Sequence, residues 1–256
     1  MSARPRHDLE AEHAPARIRR RLKEKKNHGG YIGDAVLGAI DGGITSFVVV
    51  AGAVGAGFSS VVVIILGFAS LLADGFSMAA SNFLGTKSER EKAEQAQREE
   101  QQHIDLIPDG QREELRQIFA NKGFEGRTLD EIVNTISANR ELWAQTVVQE
   151  LFGLQSVDAE RPFRAGAATF AAFLVIGAIP LLPFVVPGLA ADRAFVVSAV
   201  VTSLAFFSVG FLKGRALGGR AVYAGLETLM IGGGAALLAY VVGALLQDWL
   251  GNGVAA

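Results

Sequence analysis

SSVVVIILGFASLLADGFSMAASNFL, Ser59–Leu84, decides how this chain is built. Its first half is apolar on every side, so a helix here has no polar face to turn to water. It is longer than the roughly 20 residues a helix needs to cross the hydrocarbon of a bilayer. With no proline in the way, it runs into Thr86–Ile107, which is rich in Glu, Gln, Lys, Arg and Ala, all good helix formers. One long helix is therefore expected to leave the membrane and continue beyond it.

Four further stretches meet the same length test: Gly33–Gly57, Ala165–Val186, Ala194–Leu212 and Ala221–Leu246. A tight Gly57-Phe58-Ser59 turn joins the first two spans. A soluble chain of 256 residues cannot surround five such helices. The charges divide the same way. Residues 29–84 hold no Lys or Arg and only three acids, Asp34, Asp41 and Asp74, whereas residues 85–164 hold 11 basic and 16 acidic residues. The net charge of −2 is thus a cancellation between segments and points to no nucleic-acid partner. The absence of cysteine excludes a disulfide scaffold, thiol catalysis and thiolate metal sites.

The fold class that follows is an all-α integral membrane protein, with five transmembrane helices and a helical cytoplasmic domain inserted between helices two and three. Residues 1–30 are a basic cytoplasmic tail, 31–85 carry spans one and two, 86–160 form the inserted domain, and 161–256 carry spans three to five. Orientation is read from the flanking cations. Arg17, Arg19, Arg20, Arg21, Lys23, Lys25 and Lys26 precede span one, and Lys213, Arg215 and Arg220 lie between spans four and five. These fall on one side if the N-terminus is cytoplasmic and the C-terminus is on the opposite side. The tail lacks the apolar core of a signal peptide and reads as a charged, mobile leader.

Within the insert, Pro108-Asp109-Gly110 reads as a turn closing the long helix, and Gln111–Asn121 as a short helix stopped by Lys122-Gly123. Thr128 with Glu131 reads as a capping box for a helix over Leu129–Ser137. A last helix, Arg140–Phe152, follows Asn139 and is closed by Gly153.

An acid inside a span is costly unless paired, hydrated or functional. Asp41 lies in span one, with Asp34 two turns earlier on the same face. Asp74 lies in span two, with Met78 one turn later, and Glu227 lies in span five. Carboxylates alone suit Mg²⁺, Ca²⁺ or Mn²⁺, and an added thioether favours softer first-row metals. Asp41 reads as functional. Asp34 reads as a helix-end or helix-to-helix bond, Glu227 reads either way, and Met78 is open to a packing role. Gly38 and Gly42 form a small-xxx-small pair that permits close helix approach and is weak evidence for a dimer.

The motifs IGDAVLGAIDGGITSFVVVAG, ADGFSMAASNFLGTKSERE, NRELWAQTVVQELFGL, IPLLPF and YAGLETLMIGGGAA resemble the vacuolar iron transporter (VIT) family from about Tyr31 to Leu246. The resemblance implies a homodimer of five-helix subunits. Its ion path would run along the dimer interface, exporting Fe²⁺ and related divalent ions such as Mn²⁺ from the cytosol by proton antiport. The family's path aspartate falls on Asp41 and its path methionine on Met78. A second-span glutamate of some members falls on Ser70, and Asp74 stands one turn further on, where those members have a small residue. The swap moves a carboxylate and bears on proton coupling.

The insert resembles the family's cytoplasmic metal-binding domain. Its glutamate positions fall on Glu100, His103, Gln111 and Glu114, its methionine pair on Val147 and Val148, and its last glutamate on Leu151, beside Glu150. Glu99, Glu113 and Asp105 are possible substitutes, and a weaker or altered metal store is expected. The metal is cargo, and no tightly bound cofactor is implied. The expected partners are a second copy, the bilayer, divalent metal ions and protons, with no nucleic acid. The membrane would be the plasma (inner) membrane in a bacterium, otherwise a vacuolar-type organelle. The alternative is a membrane-anchored cytoplasmic protein that binds or senses metal without moving it. An enzyme is not expected: all four histidines lie outside the spans, and GxSxG and HExxH are absent.

Overall fold

The computed structural model describes residues 13–20, 31–154 and 161–253. The leader read as mobile falls outside these residues except for 13–20, of which 15–20 are helical. The basic positions Arg21, Lys23, Lys25 and Lys26 also lie outside them. Among the described residues there are helices and no strands. In order they are α1 (Ile32–Gly55), α2 (Ser60–Leu106), α3 (Pro108–Asn121), α4 (Gly126–Ser137), α5 (Arg140–Phe152) and α6 (Pro162–Ala178). A 3₁₀ turn (Ile179–Leu181), α7 (Leu182–Val185), α8 (Ala191–Ala216) and α9 (Ala221–Gly253) complete the chain. Five of these segments are long and apolar enough to cross a membrane. The backbone divides into two compact units, residues 30–83 with 162–256, and residues 84–161 with the N-terminal residues.

The first unit is the apolar bundle. Much of its outer surface is bare Leu, Ile, Val and Phe, as in Ile65, Leu72, Phe76, Val200 and Leu238. Side chains of this kind belong against lipid rather than water. Inside, Val50, Val63, Leu71, Phe173, Leu181 and Phe184 form one buried cluster, with Met78 packed against it, and Phe47, Ala51, Phe206 and Ala236 form another. Small residues set the helix spacing. A Cβ on Gly38 would meet the Thr169 backbone, and one on Gly42 the Phe173 backbone. The small-xxx-small pair is therefore used within the chain, where α1 crosses α6. Gly57 makes the α1–α2 turn at φ 71°.

Span three departs from the continuous helix expected. Pro180 cannot donate a backbone bond, so α6 ends at Ala178 and the chain tightens into a 3₁₀ turn before α7. The Ser198 hydroxyl of α8 donates to the Pro180 carbonyl at 2.7 Å, satisfying backbone at the break.

The second unit packs the end of α2 with α3, α4 and α5 around Ile104, Leu115, Ile118, Leu129, Val133, Trp143 and Val147. Two expectations are corrected here. Pro108 does not close a turn: it starts α3, after Ile107 as the one non-helical link. Proline suits a first helical position, because its missing N–H has no intrahelical partner there. Thr128 is not an N-cap. The chain enters α4 two residues earlier, through Gly126 at φ 53°, and Glu131 is taken up by Arg127 at 2.8 Å. Asn139 does cap α5, its side chain accepting from the Glu141 and Leu142 amides at 3.1 Å, and Gly153 ends that helix at φ 65°.

Candidate functional site

The acids of the apolar bundle are positioned by a polar tie across three helices. Asn82 of α2 donates to the Asp34 carboxylate of α1 at 2.9 Å and to the Thr169 hydroxyl of α6 at 2.7 Å. Thr169 in turn donates toward the backbone carbonyls of Asp34 and Ala165. This tie sets the register of the antiparallel pair α1 and α2. Seven residues on from Asp34 is Asp41, and eight residues back from Asn82 is Asp74. Both steps are about 11 Å of helix rise, so the two carboxylates come level. They are close enough to repel each other.

Asp41 and Asp74 are both exposed on the surface of the single chain, far from either end of their spans. No Lys, Arg or His among the described residues forms an ion pair with either of them. The Ser70 hydroxyl donates to Asp74 Oδ2 at 2.5 Å. Met78, one turn beyond Asp74, is half-buried against the apolar cluster around Phe173, so its packing role is real. Asp34 is bound to a neighbouring helix, as its alternative reading held. Glu227 is exposed on α9 and makes no hydrogen bond or ion pair with a described residue. Asp41 also lines a cavity of about 410 Å³ with Ile32, Val36, Leu37, Ile40, Lys213 and Leu217.

In the second unit, Glu100 on α2 is 5% exposed, and its Oε2 has no hydrogen-bond partner. Gln111 on α3 is equally buried, donates to Glu114 at 2.8 Å, and leaves its own Oε1 unpartnered. His103 Nδ1 stands 3.8 Å from Glu100 Oε2. Glu100 lies well past the apolar part of α2. Burial first, then the negative charge of Glu114, push its carboxyl above the ordinary glutamate value. The four positions Glu100, His103, Gln111 and Glu114 thus share one neighbourhood.

The other candidates are engaged elsewhere. Asp105 is held by Arg140, which keeps its carboxyl below the ordinary aspartate value. Glu150 pairs with Lys122 at 2.6 Å, Glu113 accepts from Gln117, and Glu99 accepts from Gln95. Among the described residues no three of His, Asp and Glu are gathered closely enough to hold one ion. Val147 and Val148 are core residues of this unit, 0% and 5% exposed. Sequence reasoning passed over Asn82 and Thr169. Their signal was available: two amide or hydroxyl side chains inside otherwise apolar spans, where a polar group needs a partner.

Comparison with known proteins accounts for this arrangement. A family model described as "VIT family" matches residues 32–244. The chain belongs to the VIT family. It is similar to a protein named vacuolar iron transporter from Toxoplasma gondii, at 31% identity over 91% of this chain and 81% of that one. A vacuolar iron transporter from Centaurea cyanus is 31% identical, covering 85% and 90% of the two chains. Vacuolar iron transporter 1 of Arabidopsis thaliana is 30% identical over 86% and 87%. The VIT relatives are transporters by name, and this VIT protein is a multi-pass membrane protein rather than an enzyme.

Proposed function

We propose that this VIT protein exports Fe²⁺, and with it Mn²⁺ or related first-row divalent ions, from the cytosol in exchange for protons. The observation that carries the reading is the pair Asp41 and Asp74. These two carboxylates stand level on adjacent apolar spans, and no Lys, Arg or His among the described residues forms an ion pair with either. Such a pair in hydrocarbon is expensive, and a transported cation is what relieves it. Met78 adds a thioether that favours Fe²⁺ over Ca²⁺ and Mg²⁺, while the carboxylates accept Mn²⁺. Both acids are exposed in one chain, so a second copy would enclose the path and double its ligands. The names of the VIT relatives support iron as the cargo.

Protons drive release because ligands must be deprotonated to hold metal. Metal enters from the side of the basic tail and the Lys213–Arg220 link, the cytoplasmic side by the positive-inside rule. Protonation of Asp41 and Asp74 from the far side then lowers their affinity. Ser70 holds Asp74 in place as its hydrogen-bond donor, and Glu227, two turns into α9 from the Lys213–Arg220 link, is assigned to the same path. The unit 84–161 is read as cytoplasmic, with Glu100, His103 and Glu114 concentrating metal on that side of the membrane. The membrane is a vacuolar-type organelle membrane or, in a bacterium, the inner membrane.

The test is a flux assay in proteoliposomes with an imposed pH gradient, comparing Fe²⁺, Mn²⁺, Co²⁺, Zn²⁺ and Ca²⁺. Flux of Fe²⁺ and Mn²⁺ that grows with the gradient is expected. Flux independent of the gradient removes the antiport, and preference for Ca²⁺ removes the ligand assignment.

A further inference from the structure

The cavity that ends at Asp41 has a second, oppositely charged end. Its wall is apolar, built from Val36, Leu37 and Ile40 of α1 and Leu217 beyond α8, and Lys213 stands in it from the last turn of α8. The register of the two helices gives the depth of each charge. Phe206 packs on Gly43, and Lys213 and Leu217, further along the chain, line the cavity with Ile32 to Asp41, earlier on α1, so α1 and α8 run antiparallel. Lys213, seven residues past Phe206, is then level with about Val36, some 8 Å of helix rise nearer the end of the bundle than Asp41. No acid among the described residues pairs with Lys213, nor with Arg215 and Arg220 in the same link. Lys213, with Arg215 and Arg220 following it in the same link, thus stands at the bundle edge above an apolar cavity of about 410 Å³.

We propose that this groove binds one anionic phospholipid, its headgroup phosphate on Lys213 and one acyl chain along Val36, Leu37, Ile40 and Leu217. The volume is that of a small-molecule site. A lysine at the end of a span reaches to the interface while its stem stays on apolar surface. Lys213, which no described acid pairs, attracts anionic lipid there, whereas a soluble phosphate would gain nothing from the apolar wall. The assignment holds whether or not the chain exchanges metal for protons.

Native mass spectrometry of the full chain in mild detergent, with added phosphatidylglycerol or phosphatidylcholine, tests it. The parent should retain phosphatidylglycerol at least about five-fold over phosphatidylcholine, the factor expected of one cation at the interface. Lys213→Glu and the groove-filling Leu37→Trp should abolish that preference. Lys213→Arg should keep it, as should Arg193→Glu, which makes the same charge change at the other end of α8. Equal retention of the two lipids overturns the proposal, and so does phosphatidylglycerol retention that survives Lys213→Glu. Displacement by millimolar inorganic phosphate would mean a free anion site and also overturns it. If Leu37→Trp instead shifts the monomer–dimer ratio with lipid retention unchanged, the groove belongs to a second copy and the lipid assignment fails.

Discussion

Glu100 and Asp41 are both carboxylates placed where an apolar side chain would cost less, and each calls for something to neutralise it: a proton for Glu100 and, in the proposed function, the cargo for Asp41. For Glu100 the folded chain keeps a proton that the unfolded chain gives up, because its folded-state value lies above the ordinary one. Stability is then full below the ordinary glutamate range and falls as the pH rises through the raised value. Glu100→Gln should therefore be more stable than the parent at pH 7, with no difference at acid pH, where both side chains are neutral. Thermal unfolding of the full chain with a metal chelator present measures this, and a less stable variant at pH 7 contradicts it. Asn82 carries the opposite weight. Asn82→Leu leaves the Asp34 carboxylate without its donor and should cost about 1–3 kcal/mol by the same measurement. The acids themselves were legible in the sequence, since a charged residue in a charge-free span is conspicuous. Asn82 stood out only as an amide in an apolar run, and its partners were not legible, since they are 48 and 87 residues away in the chain.

At the scale of elements, apolar length and glycine spacing carry most of the account. Spans one, two, four and five were readable because an all-round apolar run of membrane length has one physical solution. Within span three, the break at Pro180 depends on Ser198, a residue from another helix, to satisfy the freed carbonyl, and local pattern does not reveal that. The start of α4 was misread for a related reason: Gly126 at φ 53° lets the chain turn into the helix before Thr128 is reached. The crossing of α1 and α6 rests on Gly42, where a Cβ would press into the Phe173 backbone. Gly42→Ala should destabilise the detergent-solubilised chain by about 1–3 kcal/mol, the usual cost of overpacking. Gly33→Ala on the same helix, with open space around its Cβ, should cost nothing.

For the whole molecule, the even average charge conceals a division of labour between an apolar bundle holding a few acids and a charge-dense helical unit. If the second unit concentrates metal, then Glu100→Gln with Glu114→Gln should lower metal flux several-fold at low metal and leave it unchanged at saturation, since local enrichment matters only when the cargo is scarce. Loss at all concentrations would make the unit part of the path itself. The arrangement of that unit's polar side chains was the least legible feature: Glu100, His103, Gln111 and Glu114 do share a neighbourhood, but Asp105 and Glu150 are bound by Arg140 and Lys122 from other helices. The central claim is that Asp41 carries the cargo across the bundle. Fe²⁺ flux into proteoliposomes under a fixed pH gradient, parent against Asp41→Ala, tests it most directly. The account predicts loss of flux in a variant that still folds and inserts; undiminished flux from that variant would contradict it.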